Sequence, residues 1–237
     1  MQIHAALYHD IASGIYGKGQ KIPTEAALAK RFDANRHTIR RALAKLQSQG
    51  HIHVRQGAGA FVNHAPIDYR LGKKTRFSQN LAGTGLQTGR EVLRLETVPA
   101  SKKAVKYLQL PKGGMVHILE LVSLVDDAPF SYGRSIFPAN RLPNLPDALR
   151  ENESITAALA ANGVADYSRA WTRLSAKAAT GTIARVLHLP ERSPVLRTVG
   201  LNIDADQLPV EYGRTWFHGE RAQIVVEGDA FPLNRKI

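Results

Sequence analysis

Apolar residues in the first quarter of the chain recur with a helical period. Ile3, Leu7, Ile11 and Ile15 share one stripe ahead of a glycine-rich stretch at 14–19, which predicts an amphipathic helix over residues 2–13 that buries this stripe in a core. Next, Pro23-Thr24-Glu25 offers a capping hydroxyl ahead of Ala26, Ala27, Leu28, Ala29 and Phe32, a second and shorter helix of small and apolar residues. Asp33-Ala34 supplies a tight turn. Asn35 then caps a third helix in which Ile39, Leu43 and Leu46 face the first two, leaving Arg36, His37, Thr38, Arg40 and Arg41 at its exposed start. Gln49-Gly50 closes that helix. Two short strands follow, at 51–55 and 60–62, around the glycine-rich tip Gln56-Gly57-Ala58-Gly59.

A proline-interrupted stretch, His64-Ala65-Pro66-Ile67-Asp68-Tyr69, sets a boundary near residue 65. The expected organisation is a first domain over 1–65, a linker over 66–74 and a second domain over 75–237. The second domain contains a repeat. Residues 111–137, PKGGMVHILELVSLVDDAPFSYGRSIF, match residues 190–217, PERSPVLRTVGLNIDADQLPVEYGRTWF, at an offset of 79 that becomes 80 after one inserted residue. Each copy follows a helical segment ending Leu-x-Leu-Pro, runs as a strand to an aspartate-containing turn (Asp126-Asp127; Asp204 and Asp206) and returns. Two such hairpins, each with a helix, predict one antiparallel sheet with helices packed on it, an α+β domain. Alternation places Tyr132 with Arg134 on one face of the return strand, and Tyr212 with Arg214 likewise.

Charge sharpens the division. The chain of 237 residues carries a net +12, and residues 1–65 hold nine Lys and Arg against three Asp and Glu, half of that excess on about a quarter of the length. A solvated basic surface and a polyanion-binding one both fit this bias. With 43% apolar residues the chain can bury a real core. No run approaches the 18 or so apolar residues of a membrane span, and Met1 to Leu7 lack the basic and apolar regions of a secretory leader, so no membrane partner is expected and the cytoplasm is the expected location. The absence of cysteine removes disulfides, thiolate zinc sites and a cysteine nucleophile. His51, His53 and His64 have no carboxylate or fourth histidine placed with them, so neither a metal site nor a cofactor is expected.

The exposed start of the third helix carries the clearest chemistry. Guanidiniums grip phosphates and guanine edges, while a hydroxyl and an imidazole make closer contacts, which points to double-stranded DNA. Glycines let the hairpin tip approach a phosphate or a minor groove, with Arg55, Gln56, Gly57 and Gly59 there. Residues 3–62, with the strings KIPTEAALAKRF, NRHTIRRALAKL and GHIHVRQGAGAFV, resemble the winged helix-turn-helix domain of the GntR superfamily of bacterial repressors. That resemblance implies operator contacts from Arg36, Thr38 and Arg40, with His37 at an intervening groove-facing position and Gly57 near the wing tip. Thr24, Glu25, Asn35 and Arg41 complete the expected DNA-binding set. Ala26 departs from the pattern, since many members have a polar or basic residue there.

In the second domain two arginines on duplicated strands suggest an anion clamp, because guanidinium forks match phosphate or phosphonate oxygens. A solvated sheet face is the alternative reading. Arg173 and Glu211 are further pocket candidates. Arg76-Phe77-Ser78 reads as a helix start with Ser78 near the cap and free backbone N–H groups that could receive an anion. The expected effector-binding set is therefore Arg76, Phe77, Ser78, Tyr132, Arg134, Ser135, Arg173, Glu211, Tyr212 and Arg214. Residues from about 70 to 230 resemble the UTRA effector domain of the HutC subfamily, which implies a chorismate lyase-like fold. The strings DYRLGKKTRFSQNL and EYGRTWF are most similar to regulators of phosphonate-utilisation genes.

Together these readings imply a homodimeric, ligand-responsive repressor on a palindromic operator, with a small phosphate- or phosphonate-like anion as effector. Urocanate or an amino-sugar phosphate is the alternative effector. A lyase-like enzyme finds little in the sequence, which has no Gly-x-Ser-x-Gly elbow and no acid–base pair beside Glu211.

Overall fold

The computed structural model describes residues 2–55, 57, 59–63, 66–74, 76–151 and 154–226. The chain divides into two compact units, Met1–Ile67 and Asp68–Ile237.

The first unit is α1 (Gln2–Ala12), α2 (Glu25–Phe32), α3 (Arg36–Ser48), β1 (Ile52–Arg55) and β2 (Gly59–Val62). Leu7, Ile22, Leu28, Ile39, Leu43, Leu46, Ile52 and Val62 form its core, each contributing about 1.5–3 kcal/mol of apolar burial. One expectation fails: Ile15 is 61% exposed. The helix stops at Ala12 and Gly14 takes φ +81°, which turns the chain out of the stripe; Tyr16 packs against the core instead. Strands β1 and β2 pair antiparallel from Ile52↔Val62 to Arg55↔Gly59. A bridge between Lys21 and Phe61 adds a third short crossing, with Ile22 N–H donating to the Ala60 carbonyl at 2.7 Å. Gly57 and Gly59, with φ of +75° and +106°, give the hairpin its reversal.

The stretch expected as a linker is partly strand. Ile67 and Tyr69 are buried while Asp68 and Arg70 are exposed, the period of two that defines β3 (Ile67–Arg70), which pairs with β10 (Ala222–Val225). After α4 (Phe77–Leu81) comes a repeated β-α-β-β unit. The first copy is β4 (Thr88–Pro99), α5 (Lys102–Leu108), β5 (Met115–Val125) and β6 (Ala128–Pro138); the second is β7 (Tyr167–Ala178), α8 (Thr182–Val186), β8 (Pro194–Asp204) and β9 (Pro209–His218). Between them lie α6 (Leu145–Glu151) and α7 (Ile155–Ala161).

The six long strands form one antiparallel sheet in the order β4-β5-β6-β9-β8-β7. The two hairpins of the sequence repeat thus sit at its centre, and each gains an outer strand that the repeat as read from the sequence did not include. Arg134 on β6 pairs directly with its repeat mate Arg214 on β9, so a local two-fold axis passes between them. The β5–β6 turn is built by Asp126 and Asp127, both at positive φ (49° and 57°), a conformation aspartate tolerates better than most residues. One face of the sheet packs α5 and α8, through Ala104 and Leu108 on Tyr212, and Ala184 and Leu187 on Tyr132. The other face packs α6 and α7 on Leu119, Leu121 and Phe137. Which face a side chain joins decides what it can do.

Candidate functional site

In the first unit the predicted caps form. Thr24 Oγ1 accepts from Ala27 N–H at 3.2 Å, and Asn35 Oδ1 accepts from Thr38 N–H at 2.8 Å. The Thr38 hydroxyl also donates to Asn35 Oδ1, at 2.9 Å, so Asn35 and Thr38 form one hydrogen-bonded pair at the start of α3. Ile39, Ala42, Leu43 and Leu46 turn inward, whereas Arg36, His37, Thr38, Arg40 and Arg41 are exposed.

Glu25 holds Arg40: the guanidinium Nε donates to both carboxylate oxygens, at 2.8 and 3.0 Å. At this exposure such a pair adds about 0–1 kcal/mol to stability. Its geometric effect is larger, because it fixes the side chain through Nε and leaves the two terminal nitrogens without a hydrogen bond among the described residues. Arg55 ends β1 and Gly57 and Gly59 lie at the hairpin tip, while Gln56 lies outside the described residues. The structure therefore gathers Thr24, Glu25, Asn35, Arg36, His37, Thr38, Arg40 and Arg41 around the starts of two adjacent helices. Among these residues Glu25 alone is acidic.

In the second unit one cavity of about 120 Å³ opens on the sheet face that carries α6 and α7. Its floor is made of repeat mates. Arg90 and Arg169 correspond across the two copies, as do Ser123 and Asn202, Ser131 and Glu211, and Ser135 and Thr215. Tyr69, Arg76, Phe77 and Ser78 border it from the segment before β4, and Ile155, Thr156 and Tyr167 from the other side. Glycine makes the room. A Cβ at Gly200 would lie 2.1 Å from Arg169 Nη1, and one at Gly213 would lie 3.1 Å from Glu211 Oε1.

Three guanidiniums face this space. Arg76 lies over the Tyr167 ring at 5.1 Å, reaches Asp166 at 3.4 Å, and keeps a buried Nε without a hydrogen-bond partner among the described residues. Arg90 lies over the Phe77 ring at 5.6 Å. Burial pushes the Tyr69 hydroxyl up to about 12, against the pull of Arg169 and Arg90, so this ring is a neutral donor in the cavity wall. Glu211 is the one acid among the described lining residues, with Oε1 accepting from Ser135 Oγ at 2.5 Å and Oε2 from Asn202 Nδ2 at 2.6 Å.

Of the expected effector set, Arg76, Phe77, Ser78, Ser135 and Glu211 come together here. Tyr132, Arg134, Arg173, Tyr212 and Arg214 do not. Alternation does put Tyr132 with Arg134 and Tyr212 with Arg214, but on the opposite face, under α5 and α8. There Tyr132 stacks on Trp216 at 5.4 Å and donates to Glu120 at 2.8 Å, Arg134 Nε lies 3.4 Å from the same carboxylate, and Arg214 lies over Tyr212 at 5.9 Å. Arg173 follows a bulge between Arg169 and Trp171 that reverses the alternation, and it lies over the Trp171 ring at 4.9 Å. Ser78 is not the cap of α4 either: Arg76 holds that position, without a side-chain cap.

The sequence reading missed Tyr69, Arg90, Ser123, Ser131, Thr156, Tyr167, Arg169, Asn202 and Thr215. The outer strands hold the signal that could have found two of them. Arg90 and Arg169 stand 79 residues apart, the offset of the repeat, so extending the repeat toward the N-terminus of each copy pairs them.

Comparison with known proteins agrees over both units. Residues 83–223 match the UTRA domain and residues 1–62 match the bacterial regulatory proteins of the gntR family. An uncharacterised HTH-type transcriptional regulator of Rhizobium meliloti is 35% identical over 218 residues, covering 92% of this chain and 89% of that protein. The probable transcriptional regulator PhnF of Escherichia coli is 31% identical over 224 residues, covering 90% and 88%. Among solved structures, PhnF from Mycobacterium smegmatis shares the fold with a TM-score of 0.66 at 24% identity, covering 97% of this chain and all of that one.

Proposed function

The chain belongs to the GntR family of bacterial regulators, a DNA-binding transcriptional regulator with a UTRA domain, and from that premise we propose that it represses phosphonate uptake and degradation genes as a cytoplasmic, HutC-type homodimer on a palindromic operator. Arg36, Thr38 and Arg40 read and position the DNA, assisted by His37, while Arg41, Arg55, Gln56 and the backbone at Gly57 and Gly59 hold phosphates. Thr24 and Asn35 act by capping, and Glu25 by aiming Arg40. The exposed basic start of α3 supports this reading, as does the match of residues 1–62.

The effector is a small phosphonate- or phosphate-like anion in the cavity. The observation that carries this is Arg76, Arg90 and Arg169 lining one small space in which Glu211 is the one carboxylate among the described lining residues. The likeness to the PhnF of Escherichia coli supports the phosphonate class. The second unit acts by binding, as the regulators it resembles suggest, and not as a lyase. Bound anion favours a dimer geometry in which the two α3 helices no longer fit successive major grooves, and operator affinity falls by the difference in anion affinity between the two states.

Fluorescence anisotropy of the full chain on DNA from upstream of its own gene tests both halves. Arg36→Ala is expected to weaken specific binding by about 10- to 100-fold, the size of a lost bidentate base or phosphate contact. Inorganic phosphate or ethylphosphonate is expected to release the unmodified chain. An Arg36→Ala chain that binds as tightly as the original, or an operator affinity that no small anion alters, overturns the proposal.

A further inference from the structure

The cavity has two electrical poles, and the second is unexplained by an anion alone. Glu211 faces the same space as three guanidiniums, yet it makes no ion pair with any of them among the described residues; its two oxygens are held by Ser135 and Asn202, both neutral. A carboxylate placed to neutralise the arginines would pair with them. The sheet does not demand an acid at this position either, because the repeat mate of Glu211 is Ser131, on the same cavity floor. Arg90 and Arg169 preserve the symmetry of the repeat, while Ser131 and Glu211 break it, so the cavity can orient a ligand with two unlike ends.

Both signs of charge border one space, with Tyr69, Arg90, Arg169 and Glu211 all on the cavity wall. Each Glu211 oxygen accepts one hydrogen bond and retains a second acceptor site, with the lone pairs of the Ser135 hydroxyl beside it. An ammonium group presents three donors and no acceptor, which is what such a surround can satisfy. Crowding also guards the pole: a Cβ at Gly213 would meet Glu211 Oε1 at 3.1 Å and Ser135 Oγ at 3.7 Å, so glycine there keeps the carboxylate in place.

We propose that the effector is zwitterionic, a short amino-bearing phosphonate or phosphate monoester whose anion rests on Arg76, Arg90 and Arg169 and whose ammonium rests on Glu211. This rests on the anion-binding role given to the cavity above, and it selects amino-bearing compounds over their deaminated counterparts.

Calorimetry on the full chain tests it with four compounds: 2-aminoethylphosphonate, ethylphosphonate, phosphoethanolamine and ethyl phosphate. Each amino compound is expected to bind about 10- to 100-fold more tightly than its deaminated partner, the ratio expected for a charge-assisted contact in a cavity. The two amino compounds compared with each other separate a phosphonate from a phosphate ester. Glu211→Gln is expected to shrink the amino preference to under about threefold, since the uncharged amide leaves only neutral hydrogen bonds. Glu211→Ser, which copies the serine of the first repeat, serves as the second variant, with thermal unfolding reporting that each is folded. Equal binding of 2-aminoethylphosphonate and ethylphosphonate overturns this inference and leaves the anion site standing. An amino preference that survives in both variants overturns the assignment to Glu211. If none of the four binds, the anion site fails, and this inference with it.

Discussion

One face of the six-stranded sheet carries Tyr132, Arg134, Tyr212 and Arg214 beneath α5 and α8; the other carries Ser131, Ser135, Glu211 and Thr215 around the cavity. These residues alternate along the same two strands. On the helix face the side chains are long and find partners in their own layer: Tyr132 on Trp216, Arg134 beside Glu120, Arg214 over Tyr212. On the cavity face they are short apart from Glu211, and Gly133 and Gly213 contribute no side chain at all. The arginines that serve the cavity come from elsewhere, on the outer strands and the segment before them. The cavity face is thus marked by small residues at the sheet centre and long ones at its rim. In the motif Tyr-Gly-Arg it is the glycine, and not the arginine, that faces the cavity.

The largest expected effect follows from that contrast. Arg169→Ala or Arg90→Ala removes a charge-assisted partner of the proposed anion, and ethylphosphonate affinity is expected to fall by about 10- to 100-fold in calorimetry. Arg134→Ala and Arg214→Ala remove side chains from the opposite face, and the same affinity is expected to stay within about threefold, a change of well under 1 kcal/mol. Because Arg134 and Arg214 sit directly opposite each other, losing one also relieves a like-charge pair. If the helix-face variants lost more affinity than the cavity-face ones, the assignment of faces would be wrong.

This contrast also explains what the sequence could reveal. The winged unit was legible because its signals are local. Thr24 and Asn35 cap helices that begin next to them, the apolar positions follow one period, and glycines end the hairpin, so the exposed basic residues follow by subtraction. Ile15 escaped, where a single glycine bends the chain away from its own stripe, and so did the bridge from Lys21 to Phe61, whose partner lies 40 residues away. In the second unit the repeat gave the hairpins, their aspartate turns and the pairing of Tyr132 with Arg134. It could not say which face lies toward the helices and which toward the cavity, since α5, α6, α7 and α8 are placed by packing across the whole sheet. The bulge at Arg169–Trp171 inverted the alternation for Arg173, and such a register shift leaves no mark in the composition. The linker lost its strand for a related reason: the partner of β3 is β10, about 150 residues away.

The next effect sharpens the role of the glycines and should fall in a fixed order. Gly200→Ala places a Cβ 2.1 Å from Arg169 Nη1 and 3.0 Å from the Trp171 carbonyl, so Arg169 must leave its position. Gly213→Ala meets Glu211 Oε1 at 3.1 Å, and Gly133→Ala meets only Leu121 at 3.8 Å, an ordinary contact. Overpacking of this kind costs about 1–3 kcal/mol. Gly200→Ala is expected near the top of that range with a clear loss of anion affinity, Gly213→Ala near its bottom with a several-fold loss, and Gly133→Ala with little change in either. Thermal unfolding and calorimetry on the three variants check the order. A Gly133→Ala chain as impaired as Gly200→Ala would show that the glycines answer to strand geometry and not to the cavity.

The smallest effect concerns what holds the cavity face to its neighbouring loop. His117, on β5, is 4% exposed, with Nδ1 at 2.8 Å from Thr97 Oγ1 and Nε2 at 3.0 Å from the Leu142 carbonyl. A carbonyl only accepts, so Nε2 carries the proton and Nδ1 accepts from the threonine hydroxyl, which is the neutral ring. Burial lowers the His117 pKa below its ordinary value, and the hydrogen bond to Leu142 only partly opposes it. The sign is then fixed. Above the unfolded value of about 6.5 the ring is neutral in both states and its contribution to stability is complete. As the pH falls below that value the unfolded chain takes up the proton first, and the contribution is lost toward and through the lower folded pKa. The melting temperature is therefore expected to fall more steeply between pH 7 and pH 5 in the unmodified chain than in His117→Gln, whose amide keeps a donor for Leu142 but cannot titrate. Parallel curves for the two chains would mean that His117 bears its buried neutral state without consequence for the fold, and that the cavity face draws its pH response from elsewhere.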